Sequence, residues 1–469
     1  MWERLIFEDR SARSIAATVA RAIRVGDLEV GERLPPVRAI AKTLGVSPTT
    51  VSEAWQELAR TGAIETHGRN GTIVRQHDAV LAPRRYRQVA SGGSGGSAGS
   101  RGSAGSGSSA GSGGSAFEYN LSTGTPDPRL LPDLGRAILA AHDRAEATTR
   151  PTYGDRPVLE GLEEILRGRW PFPPGSITVV NGAMDALDCT LRSVIRLGDR
   201  VIVENPTFPP LLDLLDVLGA EVVPVAMDAR GLDPETLRVA LAASRPRACI
   251  YQPRAQNPTG ASLDSERVQE LAEVLAAHPD VILIEDDHSG DIATAPCVSL
   301  GTHLPDRTVT ILGFSKSHGP DLRIAAVGGA RSIVDSAATR RQLGPGWTSR
   351  LLQAALLHML VDPDTIELVA HARSAYAERR SLFVDALRTR GVTVSGRDGI
   401  NCWVNVDEEQ HGLVHCAARG IAVAPGAPFS VGEHEAHLRV TISEMAASID
   451  HIADSIAQAS RQQLAPPGV

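Results

Sequence analysis

A run of Gly, Ser and Ala from residue 91 to residue 116, interrupted only by Arg101, limits what this 469-residue chain can fold into more than any other stretch. It has no large apolar side chain with which to offset the entropy of ordering it, so it reads as a flexible linker. As a Gly-rich coil its r.m.s. span is roughly 25–30 Å. A fusion joint would share this composition, but the irregular repeats and the embedded arginine fit a natural low-complexity tract better. Either way, a single core cannot run through it. The chain divides into a first unit over 1–76, a linker over 77–116 and a second unit over 117–469.

At this length two or three domains are expected. An apolar share of 42% and a charged share of 22% are ordinary for a globular protein. The five cysteines are scattered, with no C-x-x-C pair and no metal-ligand spacing, and read as core residues in a reducing compartment. The N-terminus lacks the apolar core of a signal peptide, and no stretch of about 18 apolar residues suggests a membrane span. A cytoplasmic protein without membrane contact is expected. Residues 1–90 hold 14 basic and 10 acidic residues, whereas the remainder holds 33 and 45. The first part is mildly basic, which permits nucleic-acid binding without establishing it.

In the first unit, Ile15, Val19 and Ile23 form a helical stripe over Ser11–Arg24. A second helix opens at Pro36 and stops at Gly45; a third takes Ser47 as N-cap and Pro48 as its first residue, buries Val51, Trp55 and Leu58, and ends near Gly62. Residues 63–67 and 72–74 read as two strands joined by a Gly-rich turn. Three helices and a hairpin make an α+β winged helix-turn-helix. A small bundle without DNA contact is the alternative, and the tight Gly45 turn and Gly-rich wing argue against it. Gly31-Glu32-Arg33-Leu34-Pro35, Val37-Arg38-Ala39-Ile40-Ala41, Leu44-Gly45-Val46-Ser47 and Gly71-Thr72-Ile73-Val74 resemble the GntR-type regulator head. The resemblance implies that Arg38, Ser47, Thr49 and Thr50 meet phosphates and base edges of double-stranded operator DNA. It also implies that His67 and Arg69 set the wing at the minor groove. Pro48 stands where that family usually has Arg, so one contact is missing.

Beyond the linker, strand-like and helical runs alternate as in an α/β domain. Arginine is the ordinary cation of this chain, 45 of them against two lysines, Lys42 and Lys316. A lysine kept in such a background marks a place where a primary amine is needed, because guanidinium stays protonated. Lys42, on the exposed face of the second helix, reads as a solvated charge or a phosphate contact. Lys316 follows the apolar run Val309-Thr310-Ile311-Leu312, beside Ser315 and seven residues before Arg323. Three other strand tips carry chemistry: Phe208 after 201–204, Asn257 after 249–251, and Glu285-Asp286-Asp287-His288 after 281–284. Ile177-Thr178-Val179-Val180 runs through Asn181-Gly182 into a helix whose first N–H groups, at Ala183 and Met184, make a phosphate seat.

This order resembles the fold-type I, class I/II aminotransferases that bind pyridoxal 5′-phosphate (PLP), from residue 120 to about 450. Joined to the GntR-type head, it is similar to the MocR/GabR subfamily of transcriptional regulators. The resemblance implies a large subdomain and a small C-terminal one over roughly 345–469. It implies that Lys316 forms the Schiff base with PLP, its proton loss helped by burial and by Arg323. Asp286 would pair with the pyridinium nitrogen, although Glu285 and Asp287 compete for that part; alternation from buried Ile284 favours Asp286. Asn257 would donate to the phenolic oxygen, and Phe208 would stack on the ring. The N–H groups of Ala183 and Met184, with Ser315 and Arg323, would hold the phosphate, and Tyr153 would reach it from a partner subunit. Arg439 would grip a substrate carboxylate. Three departures stand out: His288 where Tyr is usual, Gly313 for a hydroxyl residue, and Met184 for Gln.

The expected function is a PLP-dependent, DNA-binding regulator whose second unit senses PLP, or a small amino acid or amine as an external aldimine. A head-to-tail homodimer is expected. The alternative is an active aminotransferase with a vestigial head, and a third reading is a cofactor-free dimerisation scaffold.

Overall fold

The computed structural model describes residues 10–25, 27–29, 31–60, 63–66, 71–74, 85, 88–89, 117–143, 152–445 and 448–461. They form two compact units, Met1–Ala82 and Pro83–Val469. The low-complexity tract 91–116 lies outside the described residues.

The first unit has helices Ala12–Val25, Val37–Leu44 and Pro48–Arg60. Between the last two, Gly45 is left-handed (φ 65°) and its N–H bonds back to Ala41 O, as does that of Val46 at 3.0 Å. This closes the second helix and turns the chain sharply. Ser47 Oγ then accepts the Thr50 N–H at 3.1 Å and caps the third helix. Ile15, Val19, Ile40, Val51, Trp55 and Leu58 share one core. Ile64–Thr66 pairs with Thr72–Val74, and a third strand, Arg33–Leu34, completes the sheet on the other side of Thr72–Val74. Sequence pattern did not flag that third strand, since two residues before a Pro-Pro pair carry no periodicity.

The second unit is built on an eight-stranded sheet. Its order is Ser176–Val180, Ala325–Gly329, Thr308–Gly313, Ile282–Asp287, Ala248–Tyr251, Arg200–Asn205, Glu221–Asp228 and Gly231–Leu232. Ala325–Gly329 runs against both its neighbours, and the five strands from Thr308–Gly313 to Glu221–Asp228 are parallel. Strand residues point alternately into apolar clusters on the two faces: Val201 and Val203 into one, Ile202 into the other. Such a sheet must be covered on both sides, which explains the continuous apolar runs. Within Ala325–Gly329, Gly328 is bare for a local reason: a Cβ there would stand 2.7 Å from the Trp170 ring.

A second, four-stranded antiparallel sheet contains Val394–Ser395, Asn401–Asn405, His437–Thr441 and Ala424–Pro425. Its core includes Phe383 and Leu387 of the 27-residue helix Pro363–Thr389. Leu121 and Leu130 join it from the start of the unit, and Tyr119–Asn120 pairs in parallel with Ile421–Ala422. The expected opening of the small part near 345 does not describe the packing. Helix Arg350–Val361 buries Leu356 and Leu360 with Leu166, Trp170 and Phe172 against the large sheet. Apolar complementarity, not chain order, decides which core each segment enters. No helix among the described residues is long and apolar enough to cross a membrane. Phe383 is fully buried in the smaller core; Phe383→Ala is expected to cost about 3–5 kcal/mol, read from chemical denaturation of the second unit.

Candidate functional site

Because the strands Arg200–Asn205, Ala248–Tyr251, Ile282–Asp287 and Thr308–Gly313 are parallel neighbours, their carboxyl ends open on one edge of the sheet. Three successive carboxylates end the third of them, all buried, and each meets a different environment. Glu285 accepts from Tyr251 Oη (2.5 Å), Ser299 Oγ (2.6 Å), Thr310 Oγ1 (2.6 Å) and the Leu300 N–H (2.8 Å). Asp287 is bound by Arg254 Nε and Nη2 at 2.9 and 2.7 Å and by the Gly290 N–H at 3.1 Å. Only Asp286 keeps a buried oxygen, Oδ1, without a partner among the described residues. Burial, then the charge of Asp287, raises its carboxyl to about 6, while a hydrogen bond from Gln252 opposes the rise. Two of the three are thus fully engaged by the fold, and Asp286 alone among them keeps an oxygen without a partner among the described residues.

Lys316 lies on the turn just past Thr308–Gly313 and donates from Nζ to Gly124 O at 2.6 Å. Burial and, to a smaller extent, the charge of Arg439 lower its ammonium to about 8. The expected contribution of Arg323 is replaced by that of Arg439. The Arg323 side chain is exposed and turned to Asn181 O at 3.1 Å. Arg439, buried in the strand His437–Thr441, donates to Ser122 O, and its guanidinium lies 5.2 Å from the centre of the Phe429 ring. Burial alone brings it to about 10, and its Nε has no partner among the described residues. Gly124 is left-handed (φ 65°), and a Cβ there would come within 3.4 Å of the Arg439 guanidinium. The 119–125 segment, which no motif marked, thus holds both cations.

Among the described residues, buried Asn257 leaves Oδ1 unpartnered, and His288 leaves Nδ1 without a partner while its Nε2 lies 3.3 Å from Ser289 Oγ. Burial, then the charges of Lys316 and Arg254, depresses the His288 imidazole to about 3, so it is neutral at pH 7. Gly313 is small because a Cβ would meet the His288 backbone at 3.2 Å. Phe208, half-buried, caps the helix Pro209–Leu218. Gly182 (φ 94°) opens the helix Ala183–Val194, whose first-turn N–H groups, including those of Ala183 and Met184, lack intrahelical acceptors. A Cβ on Gly182 would stand 2.7 Å from the Arg323 guanidinium, so the glycine admits that cation to the helix start. Ser315 is half-buried beside Lys316. Tyr153 stands apart, 94% exposed, its ring edge-on to Trp347 at 5.8 Å.

Two features at the site's margin lay outside the sequence reading. Gln252 joins Asp286 to its neighbours. Part of the expected linker docks on the second unit: the Arg85 N–H reaches Asp213 Oδ1 at 3.3 Å, its Nη1 reaches Asp216 Oδ2 at 3.3 Å, and Val89 packs with Trp403, Ala424 and Phe429.

In the first unit, Arg38, Lys42, Ser47, Pro48 and Thr49 are exposed on the second helix and at the start of the third. Thr50 is half-buried, its hydroxyl 2.8 Å from Ser47 Oγ, so these two hydroxyls cap the helix as well as facing outward. His67 and Arg69 lie outside the described residues.

Residues 118–456 match the aminotransferase class I and II family, and residues 11–74 match the bacterial regulatory proteins of the gntR family. The chain belongs to the MocR-type regulators. It is 32% identical to the vitamin B6 salvage pathway transcriptional repressor PtsJ of Salmonella typhimurium, over 97% of this chain and 99% of that one. It is 30% identical to the transcriptional regulator TauR of Rhodobacter capsulatus, over 88% of each. Among solved structures, the second unit shares its fold with kynurenine aminotransferase of Pyrococcus horikoshii, with a TM-score of 0.66 and 22% identity over 74% of this chain and 90% of that one. Like other MocR-type regulators, the protein pairs a DNA-binding head with a fold whose family is PLP-dependent.

Lys316 supplies a test of the cleft's electrostatics. Its amine drops from an ordinary 10.5 to about 8 on folding. The unfolded chain therefore binds more protons between those values, and the cost of burying the ammonium is fully present below pH 8 and is relieved as pH rises toward 10.5. Lys316→Met is expected to stabilise the ligand-free protein at pH 7, with a gain that shrinks by pH 10, as read from thermal unfolding at both pH values.

Proposed function

We propose that this cleft binds PLP, that the second unit senses the cofactor or a small amine joined to it, and that the head translates occupancy into altered operator binding. The carrying observation is a set of buried polar atoms without partners among the described residues: Asp286 Oδ1 and Asn257 Oδ1, on residues tied together through Gln252, and His288 Nδ1 and Arg439 Nε, on residues close enough to Lys316 to interact with its charge. Their chemistry fits the group. Asp286 can hold a proton on a pyridine nitrogen, Asn257 can donate to a phenolic oxygen through its side-chain N–H rather than its Oδ1, neutral His288 can donate there through a ring N–H, and Phe208 offers a flat face. Arg323, Ser315 and the N–H groups of Ala183 and Met184 suit a phosphate. Bound there, PLP supplies an aldehyde that condenses with amines and a ring that withdraws electrons. Lys316 is the amine within reach, and its lowered basicity leaves an appreciable neutral fraction at pH 7 to 8. Arg439 would hold a carboxylate of the incoming amino compound.

We read the assembly as a head-to-tail homodimer, in which the exposed Tyr153 reaches the partner's site. The tethered heads would then raise each other's effective concentration on paired half-sites, so spacing controls affinity. The docked residues Arg85 and Val89 offer a route for the signal. Val89 leans on Phe429, and the Phe429 ring lies against Arg439, so a carboxylate drawn to Arg439 would disturb the linker's anchor. Turnover as an aminotransferase is the second reading, favoured by the presence of Lys316, Asp286 and Arg439 together. Conversion of bound PLP to its amine form, followed by turnover with a keto acid, would support it.

Two experiments test the proposal. Purified protein mixed with PLP is expected to keep a visible absorption band after desalting. Lys316→Ala is expected to lose it, yet still retard DNA fragments selected from a random-sequence pool, without a response to PLP. A wild-type protein lacking both the band and any ligand-dependent shift would overturn the reading. Val89→Asp, which places a charge against Trp403 and Phe429, is expected to leave the band intact while weakening the effect of PLP or an amine on DNA retardation.

A further inference from the structure

Asp286 and Asn257 stand on different elements, yet both hydrogen-bond to one buried residue, Gln252, directly after the strand Ala248–Tyr251. That strand lies between the one ending at Asn205 and the one carrying Asp286. The Gln252 backbone N–H donates to Glu204 Oε2 at 3.1 Å. Its side-chain Oε1 accepts the Asn257 backbone N–H at 2.7 Å, and its Nε2 donates to Asp286 Oδ2 at 2.9 Å. A backbone N–H can only donate, so Oε1 must face Asn257 and the amide nitrogen must face Asp286. The side chain has one workable orientation, and that orientation leaves Asp286 presenting Oδ1, its unpartnered oxygen.

Glu204 completes the arrangement. It takes N–H groups from Gln252 and from Gln256 (3.3 Å) on Oε2. Burial holds its carboxyl at about 8, so it is largely neutral at pH 7 and adds little negative charge beside Asp286. We propose that Gln252 is the positioning residue for the ring end of the site, locking Asp286 and the Asn257 loop into one rigid piece. This rests on the reading that the cleft binds PLP. A carboxylate held by one oxygen keeps the other aimed at a fixed point, and the same amide sets the loop on the facing side at a matched distance. Such preorganisation lowers the cost of ordering the site when a planar ligand enters.

Two variants separate the two halves of the role. Gln252→Met keeps length and volume but removes both side-chain hydrogen bonds. Gln252→Glu keeps an acceptor for the Asn257 N–H and sets a carboxyl against Asp286. The dissociation constant for PLP is measured by absorbance titration, together with the induced circular dichroism of the bound cofactor. Hydrogen exchange of the Asn257 amide is followed by mass spectrometry in the cofactor-free protein. Gln252→Met is expected to weaken PLP binding by about tenfold to a hundredfold, to reduce the induced dichroism, and to speed Asn257 exchange by about tenfold. Gln252→Glu is expected to weaken binding at least as much while exchange stays near that of the wild type. A Gln252→Met protein that binds PLP within about threefold of the wild type, with unchanged dichroism, overturns the proposal. If that variant does not fold, unweakened binding by Gln252→Glu overturns it instead. A wild-type protein that takes up no PLP sinks the cofactor reading alone; the exchange comparison needs no cofactor and still decides whether Gln252 anchors Asn257.

Discussion

Lys316 and Arg439 bring two positive charges into one cleft, and neither forms an ion pair among the described residues. Burial lowers the basicity of both, and in Lys316 the charge of Arg439 adds to that effect. What holds them is a pair of backbone carbonyls, Ser122 O and Gly124 O, on a segment that leaves the small sheet's side at Tyr119–Asn120 and crosses into the cleft. The fold must bury Leu121 in the smaller core to place those carbonyls, and Gly124 must be left-handed and bare to let the guanidinium approach. The outcome is an ammonium and a guanidinium brought near one another, each with a backbone carbonyl as its polar partner.

The three carboxylates at 285–287 show how one strand end distributes roles by burial and partners alone. Glu285 faces hydroxyls from three elements, and Asp287 faces Arg254. Asp286 has Gln252 on one oxygen and, among the described residues, no partner on the other. Chemically the three are almost identical. Pleat direction separates Asp286 from its two neighbours, and tertiary partners then tell Glu285 from Asp287.

Much of this was legible beforehand. The scarcity of lysine singled out Lys316, and the apolar runs placed it at a strand end beside Phe208, Asn257 and Asp286. In the head, Gly45, Ser47 and Pro48 marked the turn and the cap where they occur. The residues that escaped notice share a property: their importance is set by partners far away in the chain. Gln252 matters because Asp286 lies 34 positions on, and Gly124 because Lys316 lies 192 positions on. Helix Arg350–Val361 looked like the start of the small part because it follows the large sheet in order, yet its leucines fit the Trp170 side. The docked Val89 sits in a polar stretch with no pattern that foretells a partner.

Sequence by itself determined the division into two units, the helix-turn-helix of the first and the order of strand-end functional groups in the second. Those features depend on local periodicity, turn chemistry and composition, all of which are carried by neighbouring residues. Only the tertiary structure decided which carboxylate keeps a free oxygen, which arginine lowers the basicity of Lys316, and which segment holds the two cations. Charge and hydrogen bonding act through space, across distances that chain folding creates and that no local pattern encodes.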